Sequence, residues 1–161
     1  MLIFINNIVS IDRKDKIILN VLQKDGRISN VRLAEAVGLS EAACLRRVRA
    51  LEEEGYVTGY VARVNAPKLG LGSNVFVEIT LHQEQQRDLQ DFEVAVARVP
   101  EVMECYLVTG QYDYLLRVVV RDLEDFERIH REAITSLPGV SRVQTSFALR
   151  AVKKESSLPI R

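Results

Sequence analysis

The sequence predicts an α+β chain in two parts: a three-helix helix-turn-helix domain of winged-helix-like form, then a ferredoxin-like βαββαβ domain. Three observations predict it. Apolar residues keep helical spacing from residue 12 to about residue 59. From Val75 they alternate instead, in short runs rich in β-branched residues. The second part also repeats itself: LQDFE at Leu89 returns as LEDFE at Leu123, and VPEV at Val99 returns as LPGV at Leu137.

Asp12 caps a first helix whose stripe is Ile17, Ile18, Val21 and Leu22, and Asp25-Gly26 stops it. Ser29 and Asn30 open a short second helix carrying Val31, Leu33, Ala34 and Val37, and Gly38 ends it. Ser40 caps a third helix, which Gly55 closes after LEEE. The link GLS between the last two makes the pair a helix-turn-helix. Ala34 stands where two helices cross closely, and Leu33, Val37, Leu39 and Cys44 fill the buried positions around the turn. One position departs from the pattern: Arg47 stands where an apolar residue is expected, and Val48 takes that role one place later.

Residues 56–64 read as a short strand, and Pro67, Gly70 and Gly72 as a break. The parts are therefore a helix-turn-helix domain over 1–62, a linker over 63–73, and a sheet domain over 74–161. In the last, strands at 75–81 and 102–108 flank the first copy of the repeat, and strands at 112–120 and 140–150 flank the second. That is βαβ twice, the split arrangement of ferredoxin-like domains. Helices cover one face of such a sheet, yet Val75, Val77, Ile79 and Leu81 alternate with Phe76, Glu78 and Thr80, and Leu115 and Val119 with Tyr114, Leu116, Val118 and Val120, so both faces are substantially apolar. A second copy is the simplest cover, which predicts a homodimer formed through the sheet. The RAVKKESS run reads as a solvated tail.

The 161 residues carry no net charge at pH 7, with 22 Lys/Arg against 22 Asp/Glu. Residues 1–62 hold nine basic against eight acidic side chains, and 73–161 hold eleven against fourteen. Neither part is a basic domain, so contact with nucleic acid must come from a local cluster, repeated over several copies. No apolar run approaches the roughly 18 residues of a membrane span. The opening MLIFINNIV lacks a basic leader and reads as an arm, not a signal peptide. Cys44 and Cys105, without CxxC spacing, argue against a disulfide framework or a zinc site and for the cytoplasm. Glu127 and His130 lie one helical turn apart, but His82 is distant and no third ligand suggests itself, so no metal is expected.

The local cluster is SEAACLRRVRALEEEG, residues 40–55. On a helix begun at Ser40, the residues Cys44, Val48 and Leu51 share the buried face. Ala42, Arg46 and Arg49 point away, with Ala43 and Ala50 near them and Arg47 on the flank. Small residues early in an exposed face let the backbone approach the floor of a major groove, and arginines one turn on reach guanine edges or phosphates. The competing reading is a solvated face of ion pairs. Arg49 has Glu53 four places on, but Arg46 has Ala50. Glu52, Glu53 and Glu54 fall in the last turn, where negative charge is poorly placed for the helix dipole.

Taken together, DRKDKIILNVLQKDGRISNVRLAEAVGLS, CLRRVRALEEEGYVTGY and LVTGQYDYLLRV resemble the Lrp/AsnC family of transcription regulators, over nearly the whole chain. The resemblance implies sequence-specific binding of double-stranded DNA, a strand that links protomers, and a C-terminal ligand domain with an amino acid such as leucine or methionine as effector. It also implies dimers assembled into octamers or similar rings. Carried onto this sequence, the DNA contacts are Ser40, Glu41, Ala42, Ala43, Arg46, Arg47 and Arg49. Where the family often has an SPxPC-like run, this chain has SEAAC, which changes a groove-facing stretch.

In residues 110–116, GQYDYLL, Gly110-Gln111 reads locally as a two-residue hairpin link, which leaves Asp113 unexplained inside a strand. A carboxylate beside a glycine turn can hold an ammonium while backbone N–H groups take a carboxylate. The resemblance implies an effector pocket here, at the contact between dimers, from Leu107, Gly110, Tyr112, Asp113, Leu123, Thr145, Ser146, Phe147 and Ala148. The alternative is an enzyme like the tetrapyrrole-pathway decarboxylases that share this two-domain architecture. It needs histidines and arginines gathered in the sheet cavity, and His82, His130 and Arg117 are scattered in sequence. No enzyme and no cofactor is therefore expected.

Overall fold

The computed structural model describes residues 11–83, 85–154 and 157–161; the apolar arm at 1–10 lies outside them. The chain forms two compact units. Of the described residues, those up to Arg63 and those from Lys153 to Arg161 make one, and Val64–Val152 the other.

The first unit is built from local caps. Helix α1, Arg13–Leu22, begins with a reciprocal box in which Asp12 accepts from the Asp15 N–H at 2.9 Å and Asp15 accepts from the Asp12 N–H at 3.1 Å. Helix α2, Asn30–Val37, is capped by the Ser29 hydroxyl and closed by Gly38 in the left-handed conformation. Helix α3, Glu41–Glu53, starts at Ser40, whose hydroxyl accepts from Ala43 N–H. Ile18, Leu19, Leu33, Ala34, Val37, Cys44 and Leu51 form the buried core of the three.

Residues 56–63 make no strand ladder, which corrects the expected strand over 56–64. The reason is pairing: an extended segment is a strand only beside a partner, and Tyr60, Val61 and Val64 stay exposed here. The segment is held by Val57, which packs on the core and donates its N–H to Leu51 C=O at 3.0 Å, and by Tyr60. The Tyr60 hydroxyl donates to Glu52 at 2.9 Å, and its ring lies so near Gly26 that a Cβ there would meet it at 3.2 Å. Burial, and then the Glu52 carboxylate, push the Tyr60 phenol up to about 12.

The second unit is a four-stranded antiparallel sheet in the order β2-β3-β1-β4, with β1 Ser73–Leu81, β2 Val102–Leu107, β3 Tyr114–Val120 and β4 Val140–Phe147. Helices α4, Gln86–Val96, and α5, Leu123–Glu132, connect β1 to β2 and β3 to β4, which is the ferredoxin-like arrangement. Alternation does the sorting. Val75, Val77, Ile79, Leu81, Tyr114, Leu116, Val118 and Val120 face the helices and are buried with Phe92, Phe126 and Ile129. Phe92 stacks on Tyr114 at 4.4 Å, and the Tyr114 hydroxyl donates to Glu93.

The opposite face carries Phe76, Leu115, Val119 and Tyr106, but it is not wholly apolar. Arg117 sits among them and donates to Glu104 at 2.8 and 2.6 Å and to Asn74 at 3.0 Å. Cys105, on the helix side of β2, is exposed, because β2 is an edge strand.

The expected extent of the second domain, 74–161, differs from the compact units at its end. The Ile160 side chain packs on the core of the first unit, and α1 holds the backbone around it. Arg150 to Lys154 are exposed, as a solvated tail should be, but residues 157–161 are not such a tail.

Candidate nucleic-acid interface and effector site

Three contacts fix how α3 is presented. Asn30 at the start of α2 donates from its side chain to Glu41 C=O at 2.9 Å, tying the first turns of α2 and α3 together. Lys14 donates to Val37 C=O and, at 3.5 Å, to Gly38 C=O, placing a cation at the C-terminal end of α2 where the helix dipole favours one. Arg47 reaches Asp12 at 2.7 Å and Asp15 at 2.8 Å, tying α3 to the N-terminus of α1. The Asp15 N–H and the Arg47 guanidinium hold the Asp12 carboxyl below its usual range, and the two carboxylates hold Arg47 above its own.

The seven candidate DNA contacts therefore do different things. Glu41, Ala42, Arg46 and Arg49 are exposed and Ala43 half-buried on the outer face of α3. Among the described residues, no carboxylate makes an ion pair with Arg46 or Arg49, and the pairing of Arg49 with Glu53 does not form. Ser40 is a helix cap. Arg47 is occupied, half-buried between two carboxylates, and its geometry is that of a brace. Sequence reasoning noted its unusual place but missed Asp12 and Asp15 as its partners. Of the three glutamates, Glu52 serves as the acceptor for Tyr60.

The effector candidates fall into two groups at opposite ends of the sheet. Leu107, Gly110, Tyr112 and Asp113 lie where β2 turns into β3, beside the end of β1. Asp113 N–H donates to Ile79 C=O at 2.8 Å, and one Asp113 carboxylate oxygen accepts from Leu81 N–H at 2.7 Å. The turn runs longer than the expected two-residue link, because Val108 N–H donates to Asp113 C=O and residues 109–112 loop out between them. Gly110 has a φ of 141°, a conformation that side chains rarely adopt. Leu123, Ser146, Phe147 and Ala148 lie at the other end, where Phe147 pairs with Val75 near the start of β1, and Thr145, opposite Val77, lies midway along the sheet. Strand β3 spans the gap, about 20 Å at 3.4 Å per residue.

The second group is divided again by strand alternation. Thr145 pairs with Val77 and Phe147 with Val75 on the helix side, and Phe147 meets the Phe126 ring edge-on at 5.2 Å. Ser146 pairs with Phe76 on the opposite face. Leu107 lines a cavity of about 350 Å³ between α4 and β2 with Val96, Met103, Cys105 and Tyr114, and the other effector candidates do not border it.

Comparison with known proteins matches this architecture unit by unit. The family model described as the Lrp/AsnC ligand binding domain matches residues 74–158, and one described as winged helix-turn-helix DNA-binding matches residues 11–58. The chain belongs to the Lrp/AsnC family. It is a DNA-binding transcription regulator with an amino-acid-binding domain. The leucine-responsive regulatory proteins of Escherichia coli K12 and Salmonella typhimurium are each 44% identical to it over 151 residues, 94% of this chain and 92% of theirs. A transcriptional regulator of Neisseria meningitidis, crystallised as a complex with L-Met, superposes with a TM-score of 0.88 at 37% identity, over 93% of this chain and 97% of that one. An AsnC-family regulator of Agrobacterium tumefaciens gives 0.89 at 35% identity, over 92% and 97%. Among the described residues, no helix of the regulator is long and apolar enough to cross a membrane.

Proposed function

We propose that the regulator reads its operator through the outer face of α3, with Ala42 and Ala43 against the groove floor and Arg46 and Arg49 on bases or phosphates. Ser40 and Glu41 shape the start of that helix, and Arg47 holds it in place instead of touching DNA. The observation that carries this reading is the contrast on one helix: Arg47 is consumed by Asp12 and Asp15, while Arg46 and Arg49 are left to solvent. In a domain of nearly balanced charge, a single such helix binds weakly, and copies joined on one DNA supply the missing affinity through effective concentration.

The effector is an amino acid of the leucine or methionine type, taken up between copies in a homodimer assembled to an octamer in the cytoplasm. The two candidate groups lie too far apart on one sheet to close on so small a ligand, whereas one end of a first copy can meet the other end of a second. The Neisseria neighbour, a complex with L-Met, supports methionine as the first ligand to try. A regulator, not a decarboxylase-like enzyme, also fits the sheet: Arg117 is already engaged by Glu104 and Asn74, and His130 packs beside the Phe126 ring.

The test is fluorescence anisotropy on the DNA upstream of the regulator's own gene, run with sedimentation velocity, with and without L-methionine or L-leucine. The expected result is tight binding by an oligomer, with affinity or assembly shifted by one of the two amino acids. Binding no tighter than to unrelated DNA, indifferent to both amino acids, refutes the proposal.

A further inference from the structure

We propose that Asn20 and Gln23 are positioning residues for the DNA-reading domain: they hold residues 158–160 of the same chain as a second tether, beside the linker. The consequence for DNA binding rests on the function proposed above.

The contact is built to recognise backbone. The Gln23 side-chain amide accepts from Leu158 N–H at 2.5 Å and donates to Leu158 C=O at 3.2 Å, the two-way exchange that one peptide group makes with another in a sheet. Asn20, three residues earlier and so on the same side of α1, donates to Ile160 C=O at 3.2 Å. The Leu158 side chain stays 70% exposed, so its identity is not what is read. Pro159 brings no N–H of its own to satisfy, and across it the Leu158 C=O that meets Gln23 also accepts from Ile160 N–H at 2.9 Å. Ile160 supplies the apolar anchor, packed on the core formed by Ile18, Leu33 and Val37.

The segment just before the linker is fastened to the same stretch of the domain, since the Tyr60 ring lies against Gly26, just beyond α1. The chain is thus held near residues 20–26 both before it leaves the first unit and after it returns to it. A domain held by two pinned connections has less orientational freedom than one held by a single flexible linker, and it loses less entropy when several copies bind one DNA.

The experiment compares the full-length wild type with an Asn20→Ala, Gln23→Ala double variant, and with Gln23→Glu, which keeps the acceptor and loses the donor. Amide hydrogen exchange at Leu158 and tryptic cleavage after Lys154 report the tether without DNA or amino acid. DNA anisotropy at several salt concentrations reports its consequence. We expect Leu158 to exchange about tenfold faster and the tail to be cut correspondingly faster in the double variant, with Gln23→Glu between. DNA affinity should fall several-fold while the salt slope is unchanged, because no cation leaves the DNA face. A Leu158 amide as fast in wild type as in the variant overturns the tether. Protected Leu158 with DNA affinity equal in all three proteins overturns the positioning role. Protected Leu158 in a wild type that binds no DNA supports the tether and refutes instead the DNA-binding reading.

Discussion

The division of labour among the α3 arginines makes a quantitative prediction about salt. Each phosphate neutralised by Lys or Arg contributes about 0.9 to the slope of log affinity against log salt. Arg46 and Arg49 are free on α3, so two copies on one site present four such side chains. If all four meet phosphates, an Arg46→Ala, Arg49→Ala variant loses about 3.6 from the slope. If some read base edges instead, the slope changes less and each lost contact costs about 1–3 kcal/mol of discrimination. Arg47→Ala removes the same formal charge from the same helix, but Arg47 already belongs to Asp12 and Asp15. Its slope should stay within about 0.5 of wild type, while thermal unfolding shifts downward because two carboxylates lose their partner. Anisotropy titrations between low and moderate salt, run on the wild type, both of these variants and a single Arg46→Ala variant, measure the slopes, and thermal melts of the same proteins measure the shift in unfolding. An Arg47→Ala slope reduced as far as that of a single Arg46→Ala variant would refute the assignment of Arg47 as a brace.

Other consequences follow from single contacts. Asp113→Asn keeps an acceptor for Leu81 N–H but loses the charge, so calorimetry should show amino-acid affinity reduced about tenfold with the melting curve unchanged. Phe92→Ala removes a fully buried ring stacked on Tyr114 and should cost about 3–5 kcal/mol in urea unfolding. Asp125, which accepts from Arg121 N–H and pairs with Arg121 and Arg128, has its carboxyl held well below the ordinary 3.8. A depressed folded-state value means stability present above pH 3.8 and lost as pH falls below it. The advantage of the wild type over Asp125→Asn should therefore be full at neutral pH and shrink on acidification below about 4, measured by urea midpoints across that range.

What was legible in the sequence is what is local. Asp12, Ser29, Ser40 and Gly38 announce helix ends through neighbours three or four places away, and strand alternation sorts Val75 to Leu81 between faces from spacing alone. The helix-turn-helix and the repeat could be read for that reason. The extended reading of residues 56–64 failed as a strand because a ladder needs a partner that no local pattern supplies. The turn before β3 was read as too short because the Asp113 backbone and carboxylate are both spent on β1, over thirty residues earlier. Arg47 stood out as a departure from the apolar pattern, but its partners lie 35 and 32 residues away, beyond the reach of periodicity. The solvated-tail reading covered only RAVKKESS, residues 150–157, and nothing in sequence marks residues 158–160 as docked, because neither Gln23 nor Asn20 signals that its amide will be used on a distant backbone.

The placement of the effector candidates at opposite ends of one sheet has a thermodynamic consequence. The pocket proposed above, completed by a neighbouring copy, would not exist in an isolated chain, so amino-acid affinity and self-association would be two readings of one linked equilibrium. On that proposal ligand strengthens assembly by the same factor by which assembly strengthens ligand binding. A regulator so built would respond to the product of nutrient level and its own abundance, and a cell that made less of it would raise the nutrient threshold without changing a residue.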